Sequence, residues 1–177
     1  MFNYFVKSKI KFFIWAGVVA LPLFVAQIMV FAAMQNNYSH VYDSVSQLGA
    51  TTSIHYEFMN LFGFIGTGTL IIFGGIGAFI AAKKLGINFI FSFFIIAFGL
   101  MFTGIAIPVD ANLKMHAFFA HNALIPLYLV IISLLPFVWK WGCPMRQNVF
   151  FYLLVIILCF VQAEVVTEPV SIIQRVK

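Results

Sequence analysis

Five long apolar runs occupy most of the sequence and constrain its fold more than any other feature. Each run is close to the roughly 20 residues that a helix needs to cross the hydrocarbon core of a membrane. Lipid offers the backbone no hydrogen-bond partner, so such runs must form helices. The sequence therefore predicts an all-α, polytopic transmembrane bundle of about five spans. As a single domain of residues 1–177, it has spans at 12–34, 58–82, 87–108, 116–139 and 149–167.

Composition excludes a soluble fold. The chain is 63% hydrophobic and 8% charged, whereas a soluble domain carries about 25% charged residues. The net charge of +5 comes from basic residues in short loops, which form no patch for nucleic acid. We therefore expect membrane lipids as partners and no nucleic acid. A membrane protein partner or a homo-oligomer stays open, and no cofactor is identified.

The distribution of charge predicts the orientation. With the N-terminus in the cytoplasm, seven of the ten basic residues lie inside, as the positive-inside rule requires. All five acids and all four histidines then fall outside or at the outer ends of spans. The sequence thus predicts a multi-pass membrane protein with its polar chemistry on the outer side, and we expect its location to be a bacterial cytoplasmic (inner) membrane. The seven inside residues are Lys7, Lys9, Lys11, Lys83, Lys84, Lys140 and Arg146.

Small residues recur at near-helical spacing along the second predicted span. They are Gly63, Thr67, Gly74 and Ala78. Small residues let transmembrane helices approach closely, so this stripe predicts the central seam of the bundle. A substrate cavity along the same face is the alternative interpretation.

The first predicted outer loop contains a short-helix signal. Ser44 and Gln47 have capping-box spacing, and Gly49 is a natural helix stop. A short helix is therefore expected from Ser44 to Gly49. Asp43, Ser44 and Ser46 either satisfy backbone donors there or belong to a functional site.

A second group of polar residues follows the third predicted span. Asp110, His116 and His121 suggest a metal site, because carboxylate and imidazole are ordinary zinc ligands. Helical positions five apart, however, point about 140° away from each other, so the two histidines do not lie on one face. A metal site would therefore need further ligands from other helices. A hydrogen-bonded pair of His121 with Glu164 or with Asp43 is also expected. It would be either an acid/base couple or a buried polar pair that fixes the register of the helices.

The candidate polar site therefore combines both groups with Asn60 at the outer end of the second span. Its members are Asp43, Ser44, Ser46, Asn60, Asp110, His116, His121 and Glu164. No HExxH element and no phosphate-binding loop accompanies them.

Several of these residues carry a family resemblance. Tyr38-Ser39 followed by the segment 46–50 (SQLGA), then 60–64 (NLFGF), resembles the family catalogued as domain of unknown function 998. Gly104, Pro108-Val109-Asp110 and His116 resemble a later element of that family. The resemblance implies a small prokaryotic membrane protein, commonly of six spans. It strengthens Ser46, Gly49, Asp110 and His116 as site residues but supplies no reaction.

The chain departs from that six-span pattern near its end. After Pro169 it ends about where a sixth span would begin. Either five spans are natural for this chain, or the last one is lost.

Three functions remain compatible with the sequence. The first is lipid- or isoprenoid-related binding or transport that uses an outward-facing polar pocket. The second is a membrane-embedded hydrolase or transferase, with or without a metal ion, that acts at the outer leaflet. The third is a structural or assembly partner in the membrane, in which the polar residues serve packing and helix caps.

Overall fold

The structure, a computed structural model, describes residues 2–140 and the side chains of residues 10–134. This part of the chain is helical and contains no strand, which confirms the all-α prediction. Its helices are α1 (Phe2–Met34), α2 (Tyr56–Leu85), α3 (Ile90–Gly104), α4 (Leu113–Asn122) and α5 (Leu124–Lys140). The predicted fifth span, 149–167, lies outside the described residues, as does Glu164.

The chain divides into two compact units, Met1–Val130 and Ile131–Lys177. The described part of the second unit is 131–140, which is helical. The first unit contains α1 to α4, and the features described below all belong to it. The prediction of a single domain stays a prediction.

Three helical stretches are long and apolar enough to cross a membrane: Ile10–Met34, Tyr56–Leu85 and Leu113–Leu134. They coincide with the first, second and fourth predicted spans, which supports a multi-pass membrane protein. The last stretch is interrupted at Ala123, three residues before Pro126. A proline cannot donate the helical hydrogen bond to the residue four before it, so a break at this place is expected.

The third predicted span forms a shorter helix than expected. Helix α3 has 15 residues, about 22 Å at 1.5 Å per residue, whereas the hydrocarbon core is about 30 Å thick. After Gly104 the chain continues in tight turns, in which Ile107 N–H donates to the Gly104 carbonyl. Pro108 disfavours helix at the residue before it, so the chain leaves α3 before the proline.

Glycines of α2 hold the first three helices in close contact. A Cβ atom added to Gly74 would lie 2.6 Å from the Cα of Gly17 in α1. A Cβ added to Gly68 would lie 2.8 Å from the carbonyl oxygen of Gly99 in α3. The predicted close packing is thus confirmed at Gly74, which meets α1, and Gly68 meets α3 in the same way.

These contacts also fix the direction of the helices. Gly17 of α1 meets Gly74, whereas Phe24, further along α1, packs its ring 5.6 Å from that of Phe64. Helices α1 and α2 are therefore antiparallel. Gly75 meets Ile96 while Gly68 meets Thr103, so α2 and α3 are antiparallel as well. This topology brings residues 35–55 (the site loop) and 105–112 to one end of the bundle, the site end.

The site loop is packed into the bundle. Leu48 is buried in a core with Ala32, Met59 and Phe64. Phe102 of α3 contributes to the same core. Irregular backbone is tolerated at membrane depth only where protein surrounds it. Because the buried Leu48 side chain attaches the site loop to the helices, the polar residues of the loop lie next to the helix ends at the site end.

Candidate functional site

The first turn of the site loop is closed by Asp43. Its Oδ2 accepts the Ser39 N–H at 2.7 Å, and its own N–H donates to the Ser39 carbonyl at 2.8 Å. Partial burial and, to a lesser extent, the Asp43 carboxylate raise the pKa of Tyr38 above its ordinary value. Asp43 thus stabilises the first turn of the loop, and its described hydrogen bonds are with Ser39 and not with the other candidate residues.

A short helix follows, as the sequence predicts, but it is a 3-10 helix over Val45–Gly49. Ser44 occupies its N-cap position, and the Ser44 carbonyl accepts the Gln47 N–H at 3.0 Å. The expected capping box is wrong, because the Ser44 side chain makes no cap hydrogen bond. In a five-residue 3-10 helix the i to i+3 backbone bond already uses the N–H that a capping serine would bind.

Asn60 attaches the end of this short helix to α2. Its Nδ2 donates to the Gly49 carbonyl at 2.9 Å, and the residue is buried. Its other amide atom, Oδ1, is buried without a hydrogen-bond partner and lies where a side chain on residue 49 would project. Gly49 is therefore required by the close approach of Asn60.

Asp110 attaches the next part of the loop to the segment after α3. Its carboxylate accepts the Thr51 N–H at 2.9 Å and the Thr51 hydroxyl at 2.6 Å. The hydrogen bonds from Thr51, that of the hydroxyl first, lower the pKa of Asp110 below its ordinary value. Both residues are exposed, so this attachment lies at the surface of the site end.

His116 joins the same two segments from α4. It is only 5% exposed, and both ring nitrogens have partners. Nδ1 lies 2.7 Å from the Ile107 carbonyl oxygen, and Nε2 lies 2.9 Å from the Ser46 Oγ. Since a carbonyl oxygen only accepts, Nδ1 must carry a proton. In the neutral ring Nε2 is then an acceptor, and the Ser46 hydroxyl donates to it.

The start of α4 orients His116. Asn112 is the N-cap residue, and its Oδ1 accepts the Met115 N–H at 3.1 Å. The Asn112 carbonyl accepts the His116 N–H at 3.0 Å. This cap fixes the first turn of the helix and thereby the direction of the imidazole.

The expected roles of His121 are not found in the described residues. His121 is exposed, and among the described residues the Asp43 carboxylate accepts its hydrogen bond from the Ser39 N–H, so the His121–Asp43 pair is not found. Its pairing with Glu164 concerns a residue outside the described part. Between residues 2 and 140 no group of three His, Cys, Asp or Glu side chains could hold a metal ion. Asp110, His116 and His121 are thus not brought together as a ligand set.

The site loop is therefore the meeting point of three elements. Asn60 of α2, Asp110 of the segment after α3 and His116 of α4 each bond to it. Their partners are Gly49, Thr51 and Ser46. The arrangement fixes a short irregular segment at the bundle end and places a serine hydroxyl against an oriented imidazole.

Sequence reasoning missed three participants. Asn112 had a detectable signal, because an asparagine directly before an apolar helical run is a typical N-cap. Thr51 and the Ile107 carbonyl had none. The Thr51–Asp110 bond joins positions 59 residues apart, and a backbone carbonyl carries no sequence signature.

One comparison with known proteins gives a match. A family model described as "Protein of unknown function (DUF998)" matches residues 18–177. No curated protein and no solved structure matches the chain.

Proposed function

The chain belongs to the DUF998 family, and from that premise we propose that it is a multi-pass membrane protein that binds or transports a lipid or isoprenoid. The observation that carries the proposal is a groove of about 270 Å³ between α1, α2 and α3. Its lining includes Ile14, Val18, Ile71 and Ile95, and it contains no charged residue.

The groove has the form that a hydrocarbon chain needs. Three of its lining residues, Gly17, Gly74 and Ala78, leave space because they are small, and the isoleucines and Val18 supply branched apolar side chains. Ile14 is 39% exposed and Val18 is 55% exposed, so the groove opens sideways to the apolar surface. A chain held there gains dispersion contacts on several sides, which each contribute little singly and much together.

This proposal differs from the polar pocket expected from the sequence. At the site end the polar side chains bond to one another and to the backbone, whereas the groove is apolar. Gly74 lies fourteen residues after Asn60 along α2, about 20 Å at 1.5 Å per residue. A long chain with its headgroup towards the site end would span that distance, which favours a lipid with an extended hydrocarbon tail.

The orientation completes the proposal. We place the N-terminus in the cytoplasm and the site end outside, in a bacterial cytoplasmic membrane. Lys83 and Lys84 lie in the last turn of α2, at its opposite end, and the Lys83 Nζ lies 5.0 Å from the centre of the Phe79 ring. Lysine is enriched in the cytoplasmic segments of membrane proteins, and here its ammonium group lies over aromatic rings, which supports this direction.

The test is native mass spectrometry of the gently extracted protein with two variants. Ala78→Phe fills the groove, and Ala33→Phe adds the same bulk at an exposed position of α1. We expect one lipid mass on the wild type and on Ala33→Phe, and its loss from Ala78→Phe. A wild type without bound lipid, or equal retention by all three proteins, would contradict the proposal.

A further inference from the structure

We propose that Ser46 and His116 form a nucleophile–base pair that transfers the acyl group of an ester. The substrate class, an ester-linked membrane lipid, rests on the function proposed above, whereas the chemistry of the pair does not. The starting observation is that one buried imidazole joins a hydroxyl on one side and a backbone carbonyl on the other.

The imidazole has the orientation that a general base requires. The Ile107 carbonyl fixes the proton on Nδ1 at 2.7 Å, and Nε2 then presents its lone pair to the Ser46 hydroxyl at 2.9 Å. A nucleophile within hydrogen-bond reach of a base, with the base oriented by a third group, is the arrangement that activates serine. In this protein the third group is a backbone carbonyl instead of a carboxylate.

The nucleophile is held on a fixed segment. Gly49, three residues after Ser46, is bonded to Asn60, and Thr51 is bonded to Asp110. The bond between Ser53 Oγ and the Gln47 carbonyl closes the loop further, at 2.5 Å. Such attachments keep the hydroxyl in place before a substrate arrives, which is a large part of catalytic positioning.

The other serines of the site loop differ from Ser46. Ser44 is exposed, Ser39 accepts the Val41 N–H with its hydroxyl, and Ser53 donates to a carbonyl. Within this described loop, Ser46 is the serine whose hydroxyl meets an imidazole. Ser46 is half-buried, whereas His116, the base, is buried.

The reaction balances with these two residues and water. The Ser46 Oγ attacks the ester carbonyl carbon and its proton passes to Nε2. The bond from that carbon to the alcohol oxygen then breaks, and the alcohol leaves with the proton from Nε2. Water, or a second alcohol in a transferase, attacks the acyl-serine, gives its proton to Nε2, and the proton returns to Ser46 as the acid or new ester leaves.

The competing interpretation is a structural hydrogen bond that only fixes the loop to α4. The two interpretations differ in the reactivity of Ser46, because a structural hydrogen bond leaves its hydroxyl as unreactive as that of any other serine. Glutamine at 116 can still bond to a hydroxyl and a carbonyl but is no general base. Reactivity therefore separates the interpretations where stability does not.

The experiment measures labelling by a fluorophosphonate probe in the full-length, membrane-reconstituted protein. The probe forms a bond from serine oxygen to phosphorus and releases fluoride. We expect one label, located by peptide mass spectrometry on Ser46. The Ser44→Ala variant should label at the wild-type rate, Ser46→Ala should not label, and His116→Gln should label about 10²-fold or more slowly.

Folding is checked separately by the unfolding temperature of each variant, so that loss of label is interpreted only for folded protein. If Ser46→Ala does not fold, the rate of His116→Gln decides. An unlabelled wild type, label spread equally over serines, or an unchanged rate in His116→Gln would overturn the proposal.

The probe also separates this proposal from lipid binding. It is small and does not need the groove, so the labelling of Ser46 is measured independently of lipid retention. Retained lipid without labelling contradicts the nucleophile–base pair alone. Labelling on Ser46 without retained lipid contradicts the lipid-binding function alone and leaves the substrate to be an ester of another class.

Discussion

Gly49 shows how a single missing side chain determines the contact between the site loop and α2. An alanine there would collide with the Asn60 Oδ1 and place its Cβ 3.2 Å from the Phe64 ring. We predict that Gly49→Ala lowers the free energy of unfolding by about 1–3 kcal/mol, the usual cost of overpacking. Thermal unfolding in detergent measures it. Gly66→Ala is the control, because its added Cβ meets only the Leu61 carbonyl at 3.4 Å, and equal losses in both variants would contradict the explanation.

The bond between Asp110 and Thr51 predicts a pH dependence. Because the pKa of Asp110 is lowered from its ordinary 3.8, the carboxylate form is favoured in the folded protein. The stabilisation is therefore complete above the ordinary value and is lost as pH falls through the lowered pKa. We expect Thr51→Val to raise the pKa of Asp110 towards 3.8.

The measurement is NMR titration of the protein with ¹³C-labelled aspartate carboxyls. The chain has two aspartates, and the signal of Asp43, which bonds to Ser39, identifies any general effect of the substitution. An Asp110 titration that is the same in wild type and Thr51→Val would show that the Thr51 hydroxyl does not hold the carboxylate.

For single residues, the sequence identified members of the site but not their hydrogen-bond partners. Ser46, Gly49, Asp110 and His116 were found by residue type and by family resemblance. Their pairing was not, since His116 and Ser46 are 70 positions apart and Ile107 contributes only a carbonyl. Of the two pairs expected for His121, the one with Asp43 is not found, and the one with Glu164 stays a prediction because residue 164 lies outside the described part of the chain.

Among the elements, α1 and α2 depend on direct backbone contact. A Cβ on Gly74 would lie 2.6 Å from the Cα of Gly17, and backbone cannot move aside as a side chain can. We predict that Gly74→Ala lowers the unfolding free energy by about 1–3 kcal/mol through overpacking. The same detergent unfolding assay applies, and a variant as stable as the wild type would show that the two helices do not touch at this level.

The elements were largely predictable from apolar length, while their interruptions were not. Helix α2 ends where Gly86 adopts φ +65°, and its N–H then bonds to the Lys83 carbonyl, as a C-terminal glycine predicts. The wide π-type turns at Met59–Gly66 had no sequence signal. They are stabilised from outside the helix, by the Gln27 Nε2 bonded to the Phe62 carbonyl at 3.1 Å.

For the whole molecule, the distribution of lysines predicts that the site end faces outward. Tyr42 in the site loop is 86% exposed, and Leu85 at the opposite end of α2 is 69% exposed. We expect a single cysteine at 42 to react with a membrane-impermeant maleimide on intact cells, and one at 85 only after permeabilisation. Both variants are made in a chain without its two native cysteines, and the reverse pattern would overturn the orientation.

Alternation of spans made it predictable that residues 35–55 and 105–112 share one end, since sequential helices with short connections run antiparallel. The packing of the loop into that end was not predictable, because it depends on side chains that are distant in sequence, such as the buried core that Leu48 forms with Ala32, Met59 and Phe64.

The measurement we would make first is ¹⁵N NMR of the histidine side chains, with His116 assigned by its absence from His116→Gln. We predict a neutral ring with the proton on Nδ1, an Nε2 that accepts a hydrogen bond, and a shift of the Nε2 signal in Ser46→Ala. A proton on Nε2, or an Nε2 signal unchanged by Ser46→Ala, would contradict the geometry that joins Ser46, His116 and Ile107 at the site end.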